Sequence, residues 1–532
     1  MDCTATRISY KNSGYFTPIV IDYIDGKESL KSFYQHPVSI KGVEQAIHER
    51  NKFPTNRALL VEQLRLQYTG LTLSDKQESH LKALLSENSF TICTAHQPNI
   101  FTGPLYFIYK IVHAIRMADD LSKQLPDYQF IPVFYMGSED ADLDELGSIN
   151  LGDNKLIWHT KQSGAVGRMK VDKSFLHLID AVAGQVLVHP YGQELIDIFC
   201  AAYSEGKTIQ QATLELVHAL FAEYGLLVLI PDNAQLKRVF SSIVKKELTE
   251  QFSAKTVQPV IEELSKQYKV QAAGREINLF YLIDDKRERI SFQDSKFKIE
   301  NTKLIFTKEE ILEEVEVHPE RFSTNVILRG LFQEMILPNI AFIGGGAEIA
   351  YWLELKTLFE RSSVPFPMLL LRNSFWWLDK KGAALIAKLG FKPEDFFAHD
   401  DTLINKLVLR ESKHETKLNG AFEQAEFFYE ALKAKAADVD ITLTEHIDAL
   451  KTKAIHRLKE LEKKILRAEK RKYHDQERQI KRIRHQYFPY GGLQERFDNI
   501  SLYYARYGKA FIKTLYNYSP VFEQVFTIIQ EL

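Results

Sequence analysis

Cysteine is nearly missing from this chain: among 532 residues only Cys3, Cys93 and Cys200 occur. Three widely spaced thiols exclude a disulfide framework and fit a reducing compartment. They also exclude a thiolate-rich zinc site of the C-x-x-C type. No run approaches the roughly 18 apolar residues of a membrane span, and MDCTATRISYKNSG at the N-terminus lacks the apolar centre of a signal peptide. A soluble cytoplasmic protein is therefore expected. Charge of one sign is lacking as well: 68 basic residues face 70 acidic ones, so no global field favours nucleic acid or membrane. What is abundant is apolar material, 45% hydrophobic and 12% aromatic. In a chain of this length that material predicts a large core in about two to four structural units.

The pattern along the chain predicts an α/β protein. Residues 1–150 read as a helical lead-in followed by the first half of a parallel-sheet core. In that half a β-type run, Phe90 to Thr94, breaks into a polar loop holding His96, Gln97, Asn99, Thr102 and Gly103. A helix beginning near Pro104 follows, with Ile108, Ile111, Val112 and Ile115 on one face. The strand QFIPVFYM (129–136) ends in the acidic loop GSEDADLDEL. Residues 151–324 read as a connective insertion, with a hairpin over 291–308 and a possible core strand at 225–230. The α/β alternation resumes over 325–399. Residues 400–486 contain no proline and one glycine, Gly420, and their second part carries a three-four apolar seam (Ile447, Leu450, Ala454, Leu458, Leu461, Ile465). That predicts an antiparallel coiled-coil arm, with a final helical unit over 487–532.

Three places have the residue types for chemistry. Gly344-Gly345-Gly346 follows a predicted strand and opens a helix carrying Glu348, Tyr351 and Trp352. Such a turn brings backbone N–H groups close to an anion, or simply packs tightly. It matches neither G-x-x-x-x-G-K-[ST] nor G-x-G-x-x-G. Glu348 is a helix cap or a ligand, and Tyr351 and Trp352 are core or an adenine platform. Glu139, Asp140, Asp142, Asp144 and Glu145 stand at a strand's C-terminal end, where open sheets bind ligands. They suit Mg²⁺, a substrate ammonium, or a solvated helix start. His96 suits a phosphate contact, acid–base work, or plain polar surface. The arm between Lys451 and Arg484 holds 14 basic and 5 acidic residues. Its sparse aromatics argue against a nucleic-acid groove and for a solvated helix face.

Taken in order, these segments resemble the BshC family of bacillithiol synthesis. The resemblance is carried by TAHQPNIFTGPLYFIYKI (94–111), IPVFYMGSEDADLDEL (131–146), INLFY (277–281), FSTNVILRGLFQEMILPNIAFIGGGAEIAYWLELK (322–356), PFPMLLLRNSF (365–375) and LQERFDNISLYYARYG (493–508). It implies a Rossmann-like core similar to class I aminoacyl-tRNA synthetases, with inserted connective elements and a coiled-coil appendage. It also implies a ligase that joins cysteine to the amine of glucosaminyl malate, using ATP and Mg²⁺. Ala141, Gly330 and Gly346-Ala347 depart from the family pattern, and no K-M-S-K-S counterpart appears.

Under that resemblance His96 and Asp140 are the catalytic candidates. Gln97, Asn99, Thr102, Gly103, Gly344, Gly345 and Gly346 would meet nucleotide or phosphate. Glu139, Asp142, Arg329, Glu348, Tyr351, Trp352 and Arg372 would meet substrate, with Asp140 or Asp142 on the cysteine ammonium and Arg329 and Arg372 on malate carboxylates. A homodimer through the coiled coil is expected. The alternative is an RNA-binding protein with a synthetase-like core and a basic arm. No zinc is expected, because the thiol-reading ligands are absent in suitable spacing; elemental analysis showing one equivalent in purified protein would refute this.

Overall fold

The computed structural model describes residues 2–270, 274–412 and 417–532. They fall into two compact units, the described residues of 2–377 with 493–529, and those of 378–492 with 530–532. The first is organised by a parallel sheet of β1 (Ser89–His96), β2 (Gln129–Met136), β3 (Leu227–Leu229), β4 (Asn339–Gly344) and β5 (Met368–Leu371). Their order in space is β5-β4-β1-β2-β3, every pair parallel. The chain lays down β1, steps outward through β2 and β3, then returns to place β4 on the other flank of β1. That reversal opens a crevice at the carboxyl ends of β1 and β4. This is the Rossmann-like core expected from the sequence.

The strands read as near-continuous apolar runs because both faces of the sheet are covered. On one face Ala114, Met117, Ala118 and Leu121 of α1 (Tyr106–Gln124) join Val43, Ala46 and Ile47 of the helix Ile40–Arg50. They pack on Phe90, Ile92, Phe130, Ile340, Met368 and Leu370. Each large apolar side chain buried there contributes about 1.5–3 kcal/mol. The segment Leu227–Leu229, far along the insertion, completes the sheet by pairing with Val133–Tyr135.

The insertion also builds its own five-stranded antiparallel sheet, in the order Ile305–Phe306, Lys296–Ile299, Lys286–Gln293, Leu279–Ile283, Phe322–Thr324. The expected hairpin is its middle pair, turning at Asp294 and Ser295 with φ of 50° and 60°. Phe322–Thr324 leads straight into α2 (Val326–Ile336), whose start Asn325 caps.

Two expectations are corrected at the chain ends. The lead-in is not wholly helical, since Cys3–Ser9 is a strand; nor is the C-terminal unit, since Val525–Glu531 is one. The two join Ser374–Leu378 in a three-stranded sheet. The β-branched alternation in CTATRIS lies in a polar, largely exposed strand, which hides its period. In the second unit, Asn419–Val439 and Leu443–Lys470 pack as a helical hairpin, with Asp440 accepting from Thr442 N at 2.9 Å to start the second helix. Among the described residues, no helix is long and apolar enough to cross a membrane.

His113 on α1 supplies a pH prediction. Its Nε2 donates to the Val521 carbonyl at 3.1 Å and its Nδ1 accepts from Asn373 N at 3.2 Å, so the ring is held neutral. Burial lowers its pKa to about 4. As pH falls through about 6.5 the unfolded chain takes up a proton that the folded chain refuses, so stability declines. The loss is expected to reach about 2 kcal/mol near pH 5 from this residue. Urea unfolding at pH 7 and at pH 5 checks it: His113→Gln should show a smaller difference between the two than the native chain.

Candidate active site

A cavity of about 630 Å³ opens at the carboxyl ends of the parallel strands. Its wall collects His96 and Gln97 after β1, Gly137 to Asp140 after β2, Pro231 after β3, and Gly345 to Glu348 after β4. Arg329 and Tyr351 come from α2 and α3 (Gly346–Trp352), and Arg372 follows β5. Ten of the sixteen residues given a site role in the sequence thus meet in one place, the size and position of a small-molecule site.

Beside the switch point, His96 lies against the rings of Tyr106 and Phe107, at centroid separations of 5.3 and 5.6 Å. Its Nε2 is buried and has no hydrogen-bond partner among the described residues. Burial, followed by the nearby Lys110 ammonium, holds its pKa well below the ordinary histidine value. Lys110 is itself buried, donates to the Ala95 carbonyl at 2.9 Å, and forms an ion pair with Glu348. Glu348 in turn accepts from Gly345 N at 2.8 Å. One carboxylate therefore ties the helix after β1 to the glycine turn after β4, so the Gly345 N–H is already occupied.

On the acidic side, Gln97 donates to Asp140 Oδ2 at 3.0 Å, while Asp140 Oδ1 accepts from Ala141 N at 2.7 Å. Glu139 is engaged inward by Lys237, which also reaches Asp232 at 3.2 Å; Arg168 grips Asp232 at 2.6 and 2.7 Å. Burial pushes the Glu139 carboxyl up despite this cation. Among the described residues, no group of three or more His, Cys, Asp or Glu is arranged to hold a metal ion.

Six of the singled-out residues stand apart from the cavity. Asn99 and Thr102 are buried inside their loop, which Asn499 clamps by donating to the Phe101 and Gly103 carbonyls at 2.8 and 2.6 Å. Gly103 has a φ of +61°, and a Cβ there would stand 2.7 Å from the Asn99 side chain, so glycine serves the turn. Gly344 ends its strand, its carbonyl accepting from Arg372 N at 2.7 Å. Asp142 is exposed and caps a short helix through Glu145 N at 3.2 Å. Trp352 is core, stacked on Phe342 at 4.5 Å. Its indole comes within 3.0 Å of where a Cβ would stand at Gly330, which accounts for glycine in the middle of α2.

Arg372 lines the wall, but both arms of its guanidinium are bound to Glu495, at 3.0 and 2.7 Å. Arg329 differs: its Nη2 donates to the Tyr351 hydroxyl, its Nη1 is buried without a partner among the described residues, and it lies over the Tyr135 ring. Sequence reasoning missed Lys110, Tyr106, Tyr135, Arg287 and Arg496 on this wall, while Glu145 of the acidic loop stands on it as that loop's position suggested. Lys110 had a readable signal, a lone cation inside the apolar stripe IYKIVHAI. Arg287 had none, because a charged residue on a solvated hairpin is unremarkable in sequence.

Two family models together match almost the whole chain: the N-terminal Rossmann-like domain of bacillithiol biosynthesis BshC over residues 1–373, and the C-terminal coiled-coil domain of BshC over residues 375–531. The chain belongs to the BshC family. A Flavobacterium johnsoniae relative named "Putative cysteine ligase BshC" is 38% identical, covering 98% of this chain and 99% of its own. A Bacillus cereus BshC of the same name is 26% identical, covering 93% and 94%. A solved Campylobacter jejuni structure described as a putative arginyl-tRNA synthetase covers 84% of this chain and 98% of its own. It does so at 11% identity and a TM-score of 0.21, so the fold assignment for this BshC member rests on its own sheet order and family match.

Proposed function

We propose that this BshC member is a carbon–nitrogen ligase that joins the carboxyl group of cysteine to the amine of glucosaminyl malate, yielding bacillithiol. The observation that carries the reading is the convergence of His96, Lys110, Glu348 and Asp140 on one cavity at the switch point. A free carboxylate is a poor acyl donor, and bound ATP with Mg²⁺ supplies the group that activates it. The wall offers a polyphosphate a neutral imidazole with an unpartnered Nε2 beside the glycine turn, with Lys110, ion-paired to Glu348, as the neighbouring cation. With no three-carboxylate cluster among the described residues, Mg²⁺ would be carried on the phosphates rather than caged by protein.

In this reading Asp140, fixed by Gln97, holds the cysteine ammonium, and Asp142 is left to its helix cap. Arg329 takes a carboxylate of the malyl group; Arg372 is committed to Glu495 and positions the wall. Attack by the sugar amine forms the C–N bond as the activating group departs with the electrons of the C–O bond, and the amine proton leaves to a neighbouring base. The protein acts in the cytoplasm as a homodimer through the arm, which leaves Phe427, Phe428, Leu450 and Leu461 exposed; a monomeric mass by light scattering would overturn the dimer. Many arm lysines are already paired with acidic neighbours, as Lys433 is with Asp448 and Lys451 with Glu430, so the basic run is a solvated helix face.

The test is mass spectrometry of protein incubated with ATP, Mg²⁺, cysteine and glucosaminyl malate, each omitted in turn. The cysteinyl amide is expected only in the complete mixture, and its absence with folded protein would overturn the proposal.

A further inference from the structure

Arg287 comes from neither half of the parallel-sheet core. It lies on the strand Lys286–Gln293 of the inserted sheet and still reaches the cavity wall. Its guanidinium is held from three sides by neutral groups. Nε donates to Ser323 Oγ at 3.1 Å, Nη2 donates to the Thr324 carbonyl at 2.9 Å, and the plane lies 3.9 Å above the Phe280 ring. No ion pair to Arg287 is formed among the described residues. The carboxylates that act on it, Glu139 and Asp140, are engaged with Lys237 and with Gln97.

Arg329 is in the same condition, fixed by Tyr351 and left with an unpartnered Nη1. Both cations are attached to one short stretch of chain. Arg287 bonds the backbone of Thr324, and Asn325 next to it caps the helix that carries Arg329 through its first turn, with Arg329 N donating to the Asn325 carbonyl at 2.9 Å. A fixed, half-buried guanidinium that makes no direct ion pair is open to an anion, and two of them on one wall suit a ligand with two negative groups.

We propose that Arg287 and Arg329 together recognise the dicarboxylate arm of the acceptor, with Arg287 as the specificity-determining residue that the insertion adds to the core. This inference rests on the ligase reading for the acceptor's identity, but the dianion chemistry does not. The insertion then has a function beyond spacing: it delivers the charge that separates a malyl-bearing sugar from the plain amino sugar.

The experiment is isothermal titration of full-length protein with glucosaminyl malate, with free malate, and with ATP and Mg²⁺. Arg287→Met, which keeps the packing over Phe280, is expected to weaken both malyl ligands about tenfold to a hundredfold while ATP affinity changes by less than about twofold. Arg287→Lys keeps the charge without the fork and should fall between; it carries the test if the methionine variant does not fold. Unchanged malate affinity, or a loss that falls on ATP instead, would overturn the proposal. If free malate binds through Arg287 while glucosaminyl malate does not bind at all, this proposal stands and the assigned acceptor is wrong. Native protein that binds neither malyl ligand would overturn both.

Discussion

Glu495→Gln is expected to lower the unfolding free energy by about 3–5 kcal/mol, the usual loss when one member of a buried ion pair is removed. The Arg372 and Glu495 side chains are 5% and 0% exposed. Besides both guanidinium arms, the carboxylate accepts from Ser374 Oγ at 3.2 Å, and the Tyr10 hydroxyl donates to the Arg372 carbonyl at 3.1 Å. The neutral amide leaves the guanidinium charge uncompensated where water cannot reach it. A denaturant midpoint that shifts with unchanged slope would measure the loss. Arg372→Met with Glu495→Leu removes both charges and should recover most of the stability, since well-packed apolar residues replace buried pairs at little or no loss. A double variant as unstable as Glu495→Gln would show that the damage is steric rather than electrostatic. Activity is expected to fall in the single variant, because the Arg372 guanidinium lies 5.3 Å from the Tyr106 ring that supports His96.

That pair also shows where sequence reading stops. Apolar runs such as FTICTA and NIAFIGG declare parallel strands, and the glycine turn and acidic loop fall at strand ends by simple counting. Position at a strand end could therefore be read. Commitment could not, because it depends on partners hundreds of residues away. Nothing local to Arg372 says that Glu495 will claim both its arms, and nothing in HQPNIFTG says that Asn499 will clamp the loop and bury Asn99 and Thr102. Trp352 was open between core and platform until Phe342 and Gly330 closed around it. Arg287 went unnoticed for the converse reason: its strand looks solvated in sequence, and only the fold of the insertion turns it toward the cavity.

His96→Asn is expected to reduce turnover by about a hundredfold to a thousandfold, the range for losing one preorganised donor at a site of developing charge. The imidazole is well placed for that role rather than for proton relay. Burial and then Lys110 keep it neutral through the physiological range, and its Nε2 stands free of any partner among the described residues. Two consequences separate this role from acid–base catalysis. The native pH profile of kcat/KM should show no limb near 6.5 that the variant abolishes. Stability, by contrast, should fall as pH drops below about 6.5, because the unfolded chain binds a proton there that the folded imidazole excludes, and the substitution should remove that part of the decline. An activity limb between pH 6 and 7 that disappears in His96→Asn would mean the ring titrates during catalysis; Lys110 would then be too weakly coupled to hold it neutral, and the phosphate-contact assignment would fall with it.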